Sequence, residues 1–498
     1  MAELRLKVML TRLLRLLSVI GPFVRSGILM IWTLILFRSI PLPFGDHGMF
    51  VSVAERLKAG DTLYADVYEN KDPLFHYSLA IARSISPFGD WALEAVWLAA
   101  AAAASVSIAR SVGLSTRRGA FVGLIIAPII LTGSSYVPGS SHLPSVALTL
   151  VAIALYLRSH LFAVGLILGS LLLFKLVAFP AAFAAVAVLL LVPRDRKRIL
   201  NFLGGLGLAV FALIAIIAMR GEFKPYLQSL TETIEYADNQ SNIGLISRVV
   251  GHVEPVFAGG NLSSAVVTLA LLAIGVAAVR DLGKGRLGLN PAQKTLTAAI
   301  VMLIVNFAVI AFTGLWSHHF QIFVSQLIII FIVFVKYLVF DPLRLNALTV
   351  AGALLLGYAV AGSPALTGWV DSLLFARANI WEQTQIPAET KALIEAGSPS
   401  TFARLGTGND RGFARGLGQW SLECRYFGQS PLSSRYVLNE TLDCFPNANF
   451  IIVDSDFREY EGTESWNEFV RASESQIAAN FRCSKVEESR ICANQNEG

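Results

Sequence analysis

The sequence predicts a polytopic α-helical membrane protein, with about eleven membrane-spanning helices followed by a small α/β domain outside the cytoplasm. Three observations predict this class. Only 15% of the 498 residues are charged, whereas a soluble domain usually carries about 25%. The charges collect between long stretches that contain almost none, as a bilayer requires. All four cysteines lie in the last polar stretch.

Apolar runs long enough to cross a bilayer recur along the chain. They are Ser18–Ile40, Trp91–Val112, Gly119–Tyr136, Leu143–Leu157, Phe202–Met219, Leu262–Val279, Leu296–Leu315, His319–Phe340 and Leu345–Gly362. A further run, Leu161–Val192, has about 32 residues, which is too long for one span and suits two short helices that turn near Lys175 and Pro180. No small-x-small cleavage site follows the first run, so we expect it to be an uncleaved helix.

The basic residues predict the orientation. They cluster in the N-terminal arm and near Arg117, Arg158, Arg196, Lys284 and Lys336. Lysine and arginine favour the cytoplasmic side of a membrane protein. An even number of predicted spans separates each pair of neighbouring clusters, so all of them can be cytoplasmic. We therefore expect a multi-pass protein of the inner or plasma membrane, with its N-terminus inside and its C-terminus outside.

The cysteines agree with this orientation, because disulfides form in oxidising compartments. Four cysteines allow three pairings. We expect Cys424–Cys444, which brackets a compact segment, and Cys483–Cys492, whose separation fits across a hairpin. The alternative is four free thiols in a cytosolic tail. The net charge of +5 reflects the basic loops and gives no reason to expect a nucleic-acid partner.

We expect a transmembrane domain at 1–362, with outer loops at 41–90 and 221–261, and an extracytoplasmic α/β domain at 363–498, called the tail below. Phe50, Val53, Ala54 and Leu57 have the spacing of an amphipathic helix that Gly60 ends. Other expected elements are helices at Leu74–Ile85, Pro387–Ala396 and Ser465–Ala479, a partly helical Gly221–His252, a strand at Phe450–Asp454 and a hairpin at Phe481–Ala493.

The first outer loop carries the most informative motifs. They are Gly45-Asp46-His47-Gly48, Gly60-Asp61-Thr62-Leu63-Tyr64-Ala65-Asp66 and Lys71-Asp72-Pro73-Leu74. This pattern is similar to that of the bacterial relatives of protein O-mannosyltransferases and of lipid A aminoarabinose transferases, which are GT-C-fold glycosyltransferases. The segment Trp316–Gln321 also resembles their His-aromatic motif. Asp72 departs from the pattern, since relatives often have Pro or Gly there.

The resemblance implies an enzyme that moves a hexosyl or pentosyl group, with inversion, from a polyprenyl-phosphate donor in the bilayer. The acceptor would be a hydroxyl of an envelope glycan, lipid or protein outside the cytoplasm. The alternative is a transporter or flippase for a lipid-linked or small solute. Transporters commonly contain inverted repeats and charged residues within their spans. This sequence has no evident repeat, and its polar residues gather in the outer segments.

Each candidate site residue has a functional and a structural interpretation. Asp46 is the candidate general base, or the N-cap of the helix that follows it. The candidate donor-phosphate ligands are Lys71, His318 and His319. In the structural interpretation, these three are ordinary side chains at the membrane interface. The candidates for binding substrate or a metal are Glu69 and Asp72. In the structural interpretation, both are ordinary charged residues of a loop. No ligand cluster with recognisable spacing is present, so no cofactor is assigned and a divalent metal stays possible.

Two other features have both interpretations. Lys175 lies deep in an apolar run, where it either snorkels to the interface or marks a water-filled cavity. Asp454 and Asp456 follow the predicted strand, where they form a site or serve as turn residues, and turn residues are favoured.

Overall fold

The computed structural model describes residues 45–132, 139–191, 195–241, 290–313, 321–340 and 401–495, with gaps at 70, 87–88, 407–420, 427–428, 430–432, 461–463 and 487–488. Its helices are α1 Gly45–Ala59, α2 Pro73–Ile85, α3 Gly89–Ser111, α4 Thr116–Phe121, α5 Ala127–Thr132, α6 His142–Leu157, α7 Leu161–Phe174, α8 Phe179–Leu191, α9 Arg196–Met219, α10 Phe223–Ser241, α11 Pro291–Thr313, α12 Val324–Phe340, α13 Arg435–Cys444 and α14 Glu464–Asn480. The predicted elements at Ser18–Ile40, Leu262–Val279, Leu345–Gly362 and Pro387–Ala396 lie outside the described residues.

The described residues form two compact units. Those between 91 and 213 and between 290 and 340 form the first unit, which is helical. Those between 45 and 90, between 214 and 241 and between 401 and 495 form the second unit, which contains the described part of the tail. Three distant segments of sequence therefore build one unit.

The helices of the first unit coincide with the predicted apolar runs. Within the described residues, Ala92–Ser111 and Arg196–Met219 are long and apolar enough to cross a membrane, and four shorter helices are apolar. The predicted run Gly119–Tyr136 is described as far as Thr132, and within it a π-helical turn at Val122–Ile126 joins α4 to α5. Gly165 and Gly169 lie one turn apart on α7. Because neither has a side chain, α9 packs closely against them, and a Cβ added at either position would meet backbone atoms of α9.

The run Leu161–Val192 forms two helices, as predicted. Lys175 ends α7 with an extended backbone, and α8 begins at Phe179 after a short 3₁₀ turn at Leu176–Ala178. Pro180 lies in the first turn of α8, where its missing N–H breaks no helical hydrogen bond. Lys175 is buried, and its Nζ donates to Ser141 Oγ at 3.0 Å. Of the two interpretations, snorkelling is therefore wrong, and the water-filled cavity stays a prediction.

A five-stranded mixed sheet forms the core of the tail. Its strands are β1 Thr401–Leu405, β2 Ser421–Leu422, β3 Phe450–Val453, β4 Phe481–Val486 and β5 Ser489–Asn494, in the order β2-β1-β3-β5-β4. Strands β1, β2 and β3 are parallel, whereas β5 runs antiparallel to both β3 and β4. The predicted strand, terminal hairpin and helix at Ser465–Ala479 are confirmed.

Two disulfides reinforce the tail. Cys424 is bonded to Cys444, and Cys483 is bonded to Cys492 across the β4–β5 hairpin, where the two residues are directly paired. The pairing expected from the sequence is therefore the pairing in the structure. Asp454 follows β3 and receives two hydrogen bonds from Arg404 on β1, at 2.6 and 2.9 Å, so its carboxylate serves an ion pair within the sheet.

Candidate functional site

Helices α1 and α2 carry the motif-bearing loop between them. Helix α1 confirms the predicted amphipathic segment and ends before Gly60, whose φ of +110° favours glycine. Helix α2 begins at Pro73, where proline is well tolerated. Residues 60–72, called the motif loop below, connect these two packed helices, so its two ends are fixed by the helix pair.

A compact turn opens the motif loop. The Thr62 carbonyl accepts hydrogen bonds from the backbone N–H groups of Ala65 and Asp66, at 3.2 and 2.9 Å, and the Thr62 N–H donates to Asp66 Oδ2 at 2.8 Å. Tyr64 is completely buried and has a left-handed φ of 65°. Such a φ is unfavourable for a residue other than glycine, so the surrounding contacts must hold the turn in this conformation.

Lys71 and Glu69 form the charged centre of the motif loop. The Lys71 N–H donates to Glu69 Oε2 at 2.7 Å, and Lys71 Nζ lies 3.4 Å from Glu69 Oε1. The Glu69 side chain is only 4% exposed, and His76 Nε2 lies 3.2 Å from its Oε2. The Lys71 side chain is 28% exposed, and its Nζ lies 5.5 Å from the centroid of the Phe50 ring. The result is a positioned, partly accessible cation.

The Glu69 carboxyl has a strongly lowered pKa. Burial alone would raise this pKa, but the Lys71 ammonium, the neighbouring His76 and the Lys71 backbone N–H together lower it to about 2. Glu69 is therefore ionised at neutral pH. A base with so low a pKa accepts a proton poorly at neutral pH, so the geometry fits Glu69 as the partner that orients Lys71.

The second segment of the unit, residues 214–241, binds the motif loop and α2. Tyr226 Oη donates to Asp72 Oδ1 at 3.3 Å. Within the motif loop itself, Tyr64 Oη donates to the Lys71 carbonyl at 2.6 Å. Tyr77 hydrogen-bonds to the buried Glu222. Asp72, the departure from the family pattern, is thus engaged by a tyrosine of a distant segment.

The tail supplies a residue that sequence reasoning missed. Arg425 donates from Nε and Nη2 to the two carboxylate oxygens of Glu440, at 2.6 and 2.9 Å, and from Nη1 to the Tyr64 carbonyl at 2.8 Å. Its Nη2 also lies 3.4 Å from Glu232 Oε1. Burial raises the pKa of the Glu232 carboxyl above its usual value, and the nearby Arg425 guanidinium offsets only part of this rise. The only signal in the sequence was a basic residue next to Cys424, which does not indicate these partners.

The structure brings together only part of the predicted site. Lys71, Glu69 and Asp72 share the motif loop. Asp46 is the second residue of α1, four positions before Phe50. The side chain of Asp46 and the residues His318 and His319 lie outside the described part of the chain.

The described residues include several acidic and histidine side chains of the kinds that bind metal ions. Among them, no three His, Cys, Asp or Glu side chains form a group suited to bind one. Glu69 and Asp72 are instead engaged by Lys71 and Tyr226, respectively.

The chain is similar to known proteins in structure and not in sequence. No family model matches the sequence, and no curated protein matches it. The crystal structure of ArnT from Cupriavidus metallidurans in the apo state is similar, with a TM-score of 0.54 and 14% sequence identity over 99% of this chain and 98% of ArnT. The chain has the GT-C fold. This likeness confirms the resemblance drawn from the first outer loop, and it gives the chain a polytopic membrane fold.

Weaker similarities were found to other proteins with the GT-C fold. The arabinofuranosyltransferase AftD from Mycobacteria has a TM-score of 0.49 and 12% identity, over 95% of this chain and 40% of AftD. The apo oligosaccharyltransferase of Archaeoglobus fulgidus has a TM-score of 0.47 and 11% identity, over 88% of this chain and 70% of that protein.

Proposed function

We propose that this protein is a membrane glycosyltransferase that moves a sugar from a polyprenyl-phosphate donor to a hydroxyl of a cell-envelope acceptor on the outer face of the membrane. The observation that carries the proposal is the positioned Lys71 ammonium in the motif loop. It occurs in a chain with the fold of ArnT, which is a lipid A aminoarabinose transferase. The sugar is a hexosyl or pentosyl group, and the acceptor is a glycan, a lipid or a protein.

The chemistry explains why a fixed cation is needed. The bond between the anomeric carbon of the sugar and the phosphate oxygen breaks, and the polyprenyl phosphate leaves with one more negative charge than it had in the donor. A cation near that phosphate stabilises the transition state more than the ground state. Lys71 has this role in our proposal, because Glu69 and the Tyr64 hydroxyl fix the loop that carries it. His318 and His319 are proposed as further ligands of the phosphate.

The acceptor hydroxyl loses its proton as it attacks the anomeric carbon, so a base is required. We assign this role to Asp46. Two observations support the choice. Glu69 has a pKa of about 2, which makes it a weak base. Position 46 lies four residues before Phe50 in α1, and the Phe50 ring faces Lys71. Because α1 begins at Gly45, Asp46 lies in the first turn of the helix and not at its N-cap. A purely structural role there predicts normal activity without a carboxylate, so the two roles are separable.

The site belongs at the membrane surface in this proposal, because the lipid part of the donor remains in the bilayer. The transmembrane domain at 1–362 supplies the motif loop through its outer loop at 41–90, and the tail at 363–498 is extracytoplasmic. The disulfides of the tail support this side of the membrane, since oxidising compartments favour them.

Purified protein in liposomes, given a synthetic polyprenyl-phosphate donor with a radiolabelled sugar and an envelope extract as acceptor, tests the proposal. We expect label in the acceptor fraction and free polyprenyl phosphate as the second product. Movement of the donor between leaflets without transfer would overturn the proposal in favour of a flippase. A parallel reaction with a chelator decides whether a divalent metal is needed.

A further inference from the structure

The tail contacts the motif loop through backbone as well as side chains. The Tyr68 N–H donates to the Arg425 carbonyl at 2.6 Å, and Arg425 Nη1 donates to the Tyr64 carbonyl at 2.8 Å. The rings of Tyr68 and Tyr426 have centroids 4.8 Å apart. The segment Arg425–Tyr426 of the tail thus lies along the motif loop and hydrogen-bonds to the Tyr64 carbonyl and the Tyr68 N–H.

The Arg425 guanidinium is itself held firmly. Glu440 receives two parallel hydrogen bonds from it, and Tyr426 Oη accepts a third from Nη2 at 2.6 Å. The side chain of Arg425 is only 10% exposed, so salt screens its charge less than that of an exposed arginine. A planar guanidinium can form this set of bonds together with the bond to Tyr64, whereas a lysine ammonium cannot reproduce the geometry.

A disulfide braces both partners of this ion pair. Cys424 directly precedes Arg425 in sequence, and Cys444 lies one helical turn after Glu440 on α13. The bond between the two cysteines therefore restrains the backbone next to Arg425 and the backbone next to Glu440 at the same time. The pair has little freedom to move away from the motif loop.

Tyr64 connects this brace to Lys71. Tyr64 has a left-handed backbone, a conformation that is strained for a residue other than glycine and persists only where surrounding contacts hold it. Its carbonyl accepts from Arg425, and its hydroxyl donates to the Lys71 carbonyl at 2.6 Å. We infer that Arg425 is a positioning residue, which acts through Tyr64 to fix the loop that presents Lys71. This inference rests on the proposed function for its catalytic consequence.

The test uses the full-length protein with Arg425→Ala, Arg425→Lys and Glu440→Gln, and with Arg490→Ala as the matched control. Arg490 also forms a two-bond ion pair in the tail, with Glu474, but it touches no part of the motif loop among the described contacts. The first readout is the rate of trypsin cleavage after Lys71, measured by mass spectrometry without substrate. The second is the kcat and the donor KM of sugar transfer.

We expect the three variants at Arg425 and Glu440 to be cleaved after Lys71 at least about 10-fold faster than the wild type. We expect kcat to fall by about 10-fold or more, since small misplacements of a reacting group have such effects, with the donor KM changed less. Arg490→Ala should match the wild type in both readouts. If Arg425→Ala does not fold, Arg425→Lys and Glu440→Gln decide the result.

Unchanged cleavage in Arg425→Lys and Glu440→Gln would overturn the inference, and so would equally fast cleavage in Arg490→Ala. The cleavage readout needs no activity. If no donor supports transfer by the wild type, the proposed function fails, while the cleavage rates still decide whether Arg425 fixes the loop.

Discussion

At the scale of single residues, the motif loop is arranged around one cation. Lys71 is oriented by Glu69, and Glu69 is kept ionised by Lys71 and His76. This reciprocal arrangement explains why a glutamate and a lysine occur two positions apart in a loop. It also separates the acidic candidates, because the low pKa of Glu69 suits orientation of a cation rather than proton abstraction.

Replacement of Lys71 tests its role as the phosphate partner. Lys71→Ala should lower kcat by about 10²-fold, because loss of one group that stabilises transition-state charge has effects of this size. Lys58→Ala is the control, since Lys58 is also a partly exposed lysine paired with a glutamate, Glu55. Steady-state transfer kinetics with both variants measure the effect. Equal kcat values for Lys71→Ala and the wild type would exclude the assigned role.

The pKa of Glu69 predicts a pH dependence of stability. Its folded-state pKa is lowered from 4.5 to about 2, so the stabilisation from this carboxylate is present above pH 4.5 and is lost as the pH falls from 4.5 towards 2. Glu69→Gln lacks this contribution. The difference in thermal unfolding midpoint between wild type and variant, measured in detergent, should therefore shrink over that window. A difference that is constant with pH would contradict the prediction.

At the scale of elements, local sequence patterns predicted the structure well where the deciding contacts are local. The helix break at Lys175 follows from the length of the apolar run and from Pro180, and the β4–β5 hairpin follows from two short segments around a turn. The Cys483–Cys492 pair followed from the same hairpin. The π-helical turn at Val122–Ile126 has no comparable pattern in the sequence.

Arg425 was missed for the opposite reason. It is separated from Tyr64 by 361 positions and from Glu232 by 193, and no periodicity or spacing encodes such a contact. Glu232 lies in the segment Gly221–His252, for which the sequence predicted only partial helix. Both side chains are largely buried, unlike ordinary surface charges. This burial arises only when three distant segments of the sequence pack together.

A buried arginine joins α2 to α1. Arg83 on α2 donates to Glu55 on α1 and lies 3.3 Å from the buried Asp90. Arg83→Ala leaves the buried Asp90 carboxylate without this cation, so it should destabilise the protein by about 3–5 kcal/mol. Lys58→Ala removes a more exposed partner of the same Glu55 and should cost less than about 1 kcal/mol. Thermal unfolding of both variants measures this, and equal losses would contradict it.

At the scale of the whole molecule, the sequence predicted the fold class, because the apolar runs, the basic loops and the loop motif all agreed. The likeness to ArnT supports that class. The number of spans and the orientation of the termini stay predictions, since several predicted spans lie outside the described residues.

Reporter fusions test the predicted orientation. Alkaline phosphatase is active only outside the cytoplasm, so its fusion after Gly498 should be active and its fusion after Arg198 should be inactive. Immunoblots provide the control, because both fusions must be present in equal amounts. An inactive fusion at the C-terminus, with an active one after Arg198, would reverse the topology and move the motif loop to the cytoplasmic side.

The most direct test of the account is the turnover of Asp46→Asn in the liposome transfer reaction. Asparagine keeps the size of aspartate and a side-chain oxygen that accepts hydrogen bonds, but it cannot act as a base. The account predicts a loss of about 10²-fold or more in kcat, with an unchanged elution profile and unfolding midpoint. Turnover at the wild-type rate would contradict it, because the acceptor proton would then be removed by another group.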